Sequence, residues 1–185
     1  TIRLTFPEGS TILEMAAKLE ENKVCTAEEF INAIETGEYD YDFLNEIPTG
    51  SNYEGRTFRL EGYLFPDTYD FYLESSGEAA VRKFLDAFDD RVDPTMRAKI
   101  KANGQTLNDI VIMASLVQWE AAKIDDMYGV ARVIQNRLEN PSAYPRLECD
   151  STQRYIKTIN AKYNYERAKA ADYDTYTCTG LPVGP

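Results

Sequence analysis

The sequence predicts an α+β chain, in which a small β-α-α unit leads into a larger mixed part built on a buried central helix with β-hairpin elements. Three observations carry that reading. Near the start, Ile2, Leu4 and Phe6 alternate with polar residues at the period of a half-buried strand, and helical spacing follows at once. In the middle, a run from about 106 to 123 is apolar on most sides, as a buried helix is. Elsewhere lie aromatic, Thr- and Tyr-rich stretches with the composition of strands and turns.

Each element has its own local signal. Pro7, Glu8 and Gly9 turn the chain after the first strand. Thr11 with Glu14 forms a capping box, opening a helix whose apolar positions include Ile12, Met15, Ala16 and Leu19. Thr26 with Glu29 is a second box, followed by Phe30, Ile31 and Ile34, and Gly37 ends that helix. Residues 38–57, with Tyr39, Tyr41, Pro48, Gly50 and Gly55, read as a linker. The expected division is therefore 1–56 for the first unit with its linker and 57–185 for the rest.

Residues 57–60 read as a strand leading into Glu-Gly-Tyr-Leu-Phe-Pro-Asp-Thr-Tyr at 61–69, with a second extended run through Phe71 and Tyr72. This aromatic turn is either a tightly packed hairpin or a carbohydrate-binding lip. Residues 77–103 carry one or two helices, with Val81, Phe84, Leu85 and Phe88 on one face and Pro94 in the first turn of the second. Asn103 and Gly104 stop it. The central helix follows, capped by Thr106 and Asp109, with Leu107, Ile110, Ala114, Val117 and Ala121 as its stripe. A further helix at about 125–138 carries Val130, Val133, Ile134 and Leu138. Beyond Asn140 and Pro141, the tyrosines 144, 155, 163, 165, 173 and 176 suit turns and strands at the mouth of a cleft.

Composition narrows the chemistry. The 185 residues hold 20 Lys and Arg against 31 Asp and Glu, a net charge of −11, and a basic stripe for nucleic acid is missing. Histidine is absent altogether, which removes Ser-His-Asp triads, Cys-His pairs and His-ligated zinc. Acid–base work falls to Asp, Glu, Lys, Tyr or Cys. Cys25, Cys149 and Cys178 are odd in number and form no CxxC, so no metal cluster is expected. They are either three half-buried thiols or one Cys149–Cys178 bridge with a free thiol. No run of about 18 apolar residues is present to span a membrane.

Glu120 is the first candidate for chemistry. On a helix it follows Val117 by three residues, Leu116 by four and Met113 by seven, so it prolongs an apolar face. A carboxyl carried into such surroundings loses hydration, and its expected pKa rises from about 4.3 towards roughly 6. The alternative is a helix-end Glu that reaches solvent or pairs with Lys123. Gln118 and Trp119 are either surface residues or a polar contact and a stacking wall. Asp125 and Asp126 cap the following helix through its dipole. Asn136 and Arg137 reach either a cleft or a terminal carbonyl, and residues 149–152 are polar ligands or a helix cap. Residues 173–180 are an edge strand or a hydrogen-bonding strip.

In order, these segments are 61–69, Met-Ala-Ser-Leu-Val-Gln-Trp-Glu at 113–120, Val-Ile-Gln-Asn-Arg-Leu at 133–138, Arg-Leu-Glu-Cys-Asp-Ser-Thr at 146–152, and 173–182. Together they resemble the YceG-like family, the MltG endolytic murein transglycosylases of bacteria, over about two-thirds of the chain. The amino-terminal β-α-α run looks like the LysM-like module of that family. The resemblance puts the catalytic glutamate on Glu120, with Gln118 where the family carries a first acidic residue. Asp126, Asn136 and Arg137 match family positions, and Asp150 and Thr152 match Asp-Pro-Thr with Ser151 in place of Pro. Tyr173, Tyr176 and Thr177 join Gln118, Asn136, Asp150 and Thr152 as expected substrate-binding residues.

The resemblance implies a lytic transglycosylase that cleaves the β-1,4 MurNAc-GlcNAc bond of peptidoglycan strands and leaves 1,6-anhydro-MurNAc ends. It uses one general acid/base and needs no cofactor or metal. The same resemblance implies a membrane anchor ahead of Thr1, action on the extracytoplasmic face beside membrane-bound glycan polymerases, and a catalytic domain that continues past Pro185. The alternative is a peptidoglycan-binding scaffold without turnover.

Overall fold

The computed structural model describes residues 1–49, 55–163 and 170–185; Gly50 of the linker and Tyr165 lie outside the described residues. Strand β1 (Ile2–Thr5) precedes helices α1 (Ile12–Glu21) and α2 (Ala27–Thr36). Both capping boxes form. The Thr11 and Thr26 hydroxyls accept from the Glu14 and Glu29 N–H groups, and each Glu carboxylate accepts the cap residue's N–H in return. Next come strand β2 (Thr68–Phe71) and helices α3 (Gly77–Arg91) and α4 (Pro94–Ala102). Then follow α5 (Leu107–Glu120), α6 (Met127–Glu139), α7 (Asp150–Tyr163) and the short α8 (Ala170–Tyr173). None of the helices among the described residues is long and apolar enough to cross a membrane.

Two compact units are present: Thr1–Ile47 with Phe58–Leu107, and Pro48–Thr57 with Asn108–Pro185. That partition departs from the expected cut at 56/57, because the β-α-α run does not close on itself. In the first unit β1 pairs antiparallel with β2, Ile2 opposite Phe71 and Thr5 opposite Thr68. The Glu61 carboxylate, 6% exposed, accepts the Ile12 N–H at 3.0 Å and so caps α1 from a distant segment. Gly77 starts α3 against α2, where a Cβ would run into the Glu29 carbonyl. Phe84 lies at the centre, edge-on to Phe6 at 4.9 Å and to Tyr69 at 4.8 Å.

Several expectations are corrected or decided. Residues 57–60 form turns, and although Phe58 and Leu60 are fully buried their backbone joins no ladder. β2 therefore pairs with the remote β1, and no hairpin forms at the aromatic turn. The turn itself is core rather than lip: Tyr63 is 0% exposed between Phe43 and Phe88. The central helix is only half-buried, since Val111, Ile112, Leu116 and Val117 face inward while Ala114 and Trp119 face out. Residues 150–163 form a helix instead of turns and strands, and residues 174–180 are turns instead of an edge strand. Cys25, Cys149 and Cys178 are all free thiols.

Candidate active site

In the second unit, the inward face of α5 packs through Leu116 and Val117 onto Ile134 of α6 and onto Leu147 and Cys149. Glu120 is the last residue of α5 and is half-buried where that apolar face ends. Its Oε1 accepts the main-chain N–H of Ser151 at 2.8 Å. Ser151 sits in the first turn of the 14-residue helix α7, so the carboxylate meets the end of a helix that carries free N–H groups and partial positive charge.

The segment entering α7 is held from two sides. Arg137 Nη1 donates to the Leu147 carbonyl at 2.9 Å and to the Glu148 carboxylate at 2.8 Å, and its guanidinium lies over the Tyr144 ring. Glu148 takes the left-handed conformation (φ 56°), which turns the chain into the helix. On the other side, buried Thr152 and Thr175 form a polar brace. Cys149 N–H donates to Thr175 Oγ1 at 2.8 Å, both threonine hydroxyls donate to the Cys149 carbonyl, and Thr175 N–H donates to Thr152 Oγ1. Tyr176 donates its hydroxyl to Asp150 Oδ1 at 2.7 Å.

Electrostatics agree with this crowding. The hydrogen bond to Asp150 is the largest cause that pushes the Tyr176 phenol up to about 12, and the charges of Asp150, Glu148 and Glu120 add to it. Burial, then the Glu120 charge, pushes the Cys149 thiol up to about 11, so it stays protonated near neutral pH and is no nucleophile. Among the described residues no group of carboxylates and thiols is arranged to hold a metal. A pocket of about 270 Å³ lies beside the Arg137 staple, lined by Leu138, Tyr144, Leu147 and Gly180 among others; Glu120 is not on its wall.

Of the residues expected to bind substrate, the structure gathers Asp150, Thr152 and Tyr176 at the α7 end that holds Glu120. Gln118 sits two residues before Glu120, about 200° round the helix. Asn136 is exposed on α6, where its carbonyl accepts from Asn140, and Thr177 is tied in its turn to the Asp174 carbonyl. Neither bonds to Glu120. Tyr173 is corrected outright as a cleft residue: it is 2% exposed, packs on Tyr155, and its hydroxyl accepts the Thr57 N–H at 2.9 Å. Trp119 stands 51% exposed under the Arg154 guanidinium. Thr175 and the Ser151 N–H went unread in the sequence. The first looks like any threonine of a polar strip, and the second is a main-chain group.

The architecture is a known one. A crystal structure of a yceG-like protein from Listeria monocytogenes superposes with a TM-score of 0.75 at 23% identity, covering 99% of this chain and 62% of that one. The chain belongs to the YceG-like family, whose model matches residues 1–185. An endolytic murein transglycosylase of Streptococcus pneumoniae (strain D39) is 32% identical over 145 residues, 73% of this chain and 26% of that protein. The endolytic murein transglycosylase of Bacillus subtilis (strain 168) is 27% identical over 190 residues, 99% of this chain and 52% of that protein. The chain thus spans about half or less of the length of these curated relatives.

Proposed function

We propose that this chain is the part of an endolytic lytic transglycosylase that carries the acid/base residue, and that Glu120 performs both proton transfers. The observation that carries the reading is the placement of Glu120: one carboxyl ends an apolar helix face and is anchored through Oε1 by the α7 N-terminus. That bond leaves Oε2 for the reacting proton. As the acid, Glu120 gives its proton to the glycosidic oxygen as the bond to the muramoyl C1 breaks. As the carboxylate, it then takes the proton of the C6 hydroxyl while O6 closes on C1. The products are a free 4-hydroxyl on one strand and a 1,6-anhydro ring on the other, and no water is consumed. A hydrolase needs a second carboxylate to activate water or form a covalent intermediate; this reaction does not.

Asp150, Tyr176 and Thr152 orient the site, and Gln118, Asn136 and Thr177 extend its contacts along the strand. The β-α-α run acts as a LysM-like glycan-binding element. The whole protein works at the outer face of the cytoplasmic membrane, anchored there, beside glycan polymerases. These assignments draw on the family resemblance. The test is digestion of purified peptidoglycan by the full-length protein, with mass analysis of the ends. Anhydro-MurNAc ends are expected, and reducing ends would make the protein a hydrolase instead. Binding without cleavage would make it a scaffold.

A further inference from the structure

Ser151 meets Glu120 through its N–H, yet its own hydroxyl is shut away from solvent with no hydrogen-bond partner among the described residues. Buried hydroxyls are nearly always paired, so an orphan beside a reactive carboxyl calls for an explanation. The neighbouring acceptors are engaged. The Cys149 carbonyl takes two threonine hydroxyls, and Asp150 Oδ1 takes Tyr176. Each carboxylate offers about four acceptor positions; Asp150 is drawn to the Tyr176 hydroxyl, whereas Glu120 is fixed directly against Ser151, whose N–H fills one of its positions. The serine oxygen hangs from the Cα that bears this N–H. Rotation about a single bond, between staggered wells, sweeps it past an acceptor already bound to that N–H.

We propose that Ser151 is the positioning residue of Glu120: its N–H holds Oε1 throughout, and its hydroxyl turns onto the carboxylate when Glu120 has lost its proton. The inference rests on reading Glu120 as the acid/base. While Glu120 is protonated, a second donor has little to stabilise. Once the proton has gone to the glycosidic oxygen, charge appears on the carboxyl among Glu148 and Asp150, and a donor one bond rotation away offsets it without waiting for solvent. Ser151 itself neither gains nor loses a proton.

The experiment is steady-state kinetics of the full-length protein on soluble glycan strands, comparing wild type, Ser151→Ala, Ser151→Thr and Glu120→Gln, with melting temperatures followed in parallel. Ser151→Ala keeps the N–H and removes the hydroxyl. It should lower kcat about 10- to 100-fold, the range of a hydrogen bond to a charged group, at unchanged KM and melting temperature. Ser151→Thr should recover most of the loss. A wild-type kcat in Ser151→Ala, a change carried by KM, or a loss that Thr does not repair would each overturn the proposal. Glu120→Gln separates the two levels. If it still cleaves, the acid/base reading itself is wrong. If it is silent while Ser151→Ala matches wild type, only the role of Ser151 fails.

Discussion

The two units spend their polar groups differently. In the first, buried space is filled by rings such as Phe6, Phe30, Phe43 and Phe84, and its one buried charged residue, Glu61, closes a helix end. In the second, Arg56, Thr57, Asn108, Thr152 and Thr175 are all buried, and among the described residues few rings meet and some buried polar groups lack partners. Among the described residues, Arg56 donates to Asn108 but leaves Nε and Nη2 without partners, and the Ser151 hydroxyl is likewise alone. Apolar packing is insensitive to direction and tolerates no reactive group. A buried polar lattice fixes directions, and it holds a carboxyl at a chosen angle. The unit whose interior leaves polar groups unmatched among the described residues is the one that holds the proposed acid/base residue.

Four substitutions test that contrast, from the largest effect down. Glu120→Gln keeps size and a hydrogen-bond acceptor but cannot pass a proton. Turnover should fall by about 100- to 10,000-fold, with circular dichroism, melting and glycan binding unchanged; cleavage near the wild-type rate would end the assignment. Phe84→Ala, in the first unit, should destabilise by about 3–5 kcal/mol in urea titrations, since a fully buried ring leaves a hole among four aromatic neighbours. A cost below that of a surface change would show that the ring cluster is loose.

Thr175→Val keeps shape but strands the Cys149 N–H. It should cost about 1–3 kcal/mol and, unlike Phe84→Ala, lower kcat in molecules that remain folded. Equal kcat at matched folded fraction would separate the brace from the site. The smallest effect is expected at Asp70, whose carboxyl is held below its ordinary value by the hydrogen bond from exposed Arg3. A carboxyl lowered in the folded state stabilises above its unfolded value, about 3.9, and that contribution is lost as pH falls through the folded value. Asp70→Asn should therefore melt slightly lower than wild type at pH 7 and converge with it in acid. A gap that widens on acidification would contradict the pairing.

What the sequence made legible was local. Both capping boxes and Pro94 at the head of α4 are signals complete within four residues, and all three appear where the spacing places them. Distant pairings carried no such mark. The β-prone residues at 57–60 spend their apolar side chains in the core while the ladder forms elsewhere, so propensity read burial correctly and backbone wrongly. In α7 the Tyr- and Thr-rich text reads as turns, yet Thr152 and Ile159, seven residues apart, are both buried on one helical face. At the proposed site, Glu120 stands out as a candidate because a carboxylate ending an apolar stripe is visible in the letters. Its partner does not, because a main-chain N–H belongs to every residue but proline.

The pairing of β1 with β2 also sets a timetable. Arg3 finds Asp70 across 67 residues of chain, so on a ribosome the first strand emerges long before its only partner among the described residues exists. Helices α1 and α2 can form from their own caps in the meantime. The strand itself must wait as an unpaired edge until β2 and the Phe84 helix have been made, and loop closure over that span slows the step further. Strand β1, made before its partner, is therefore among the last parts of its unit to become secure, and it is the stretch on which nascent-chain chaperones or proteases would act.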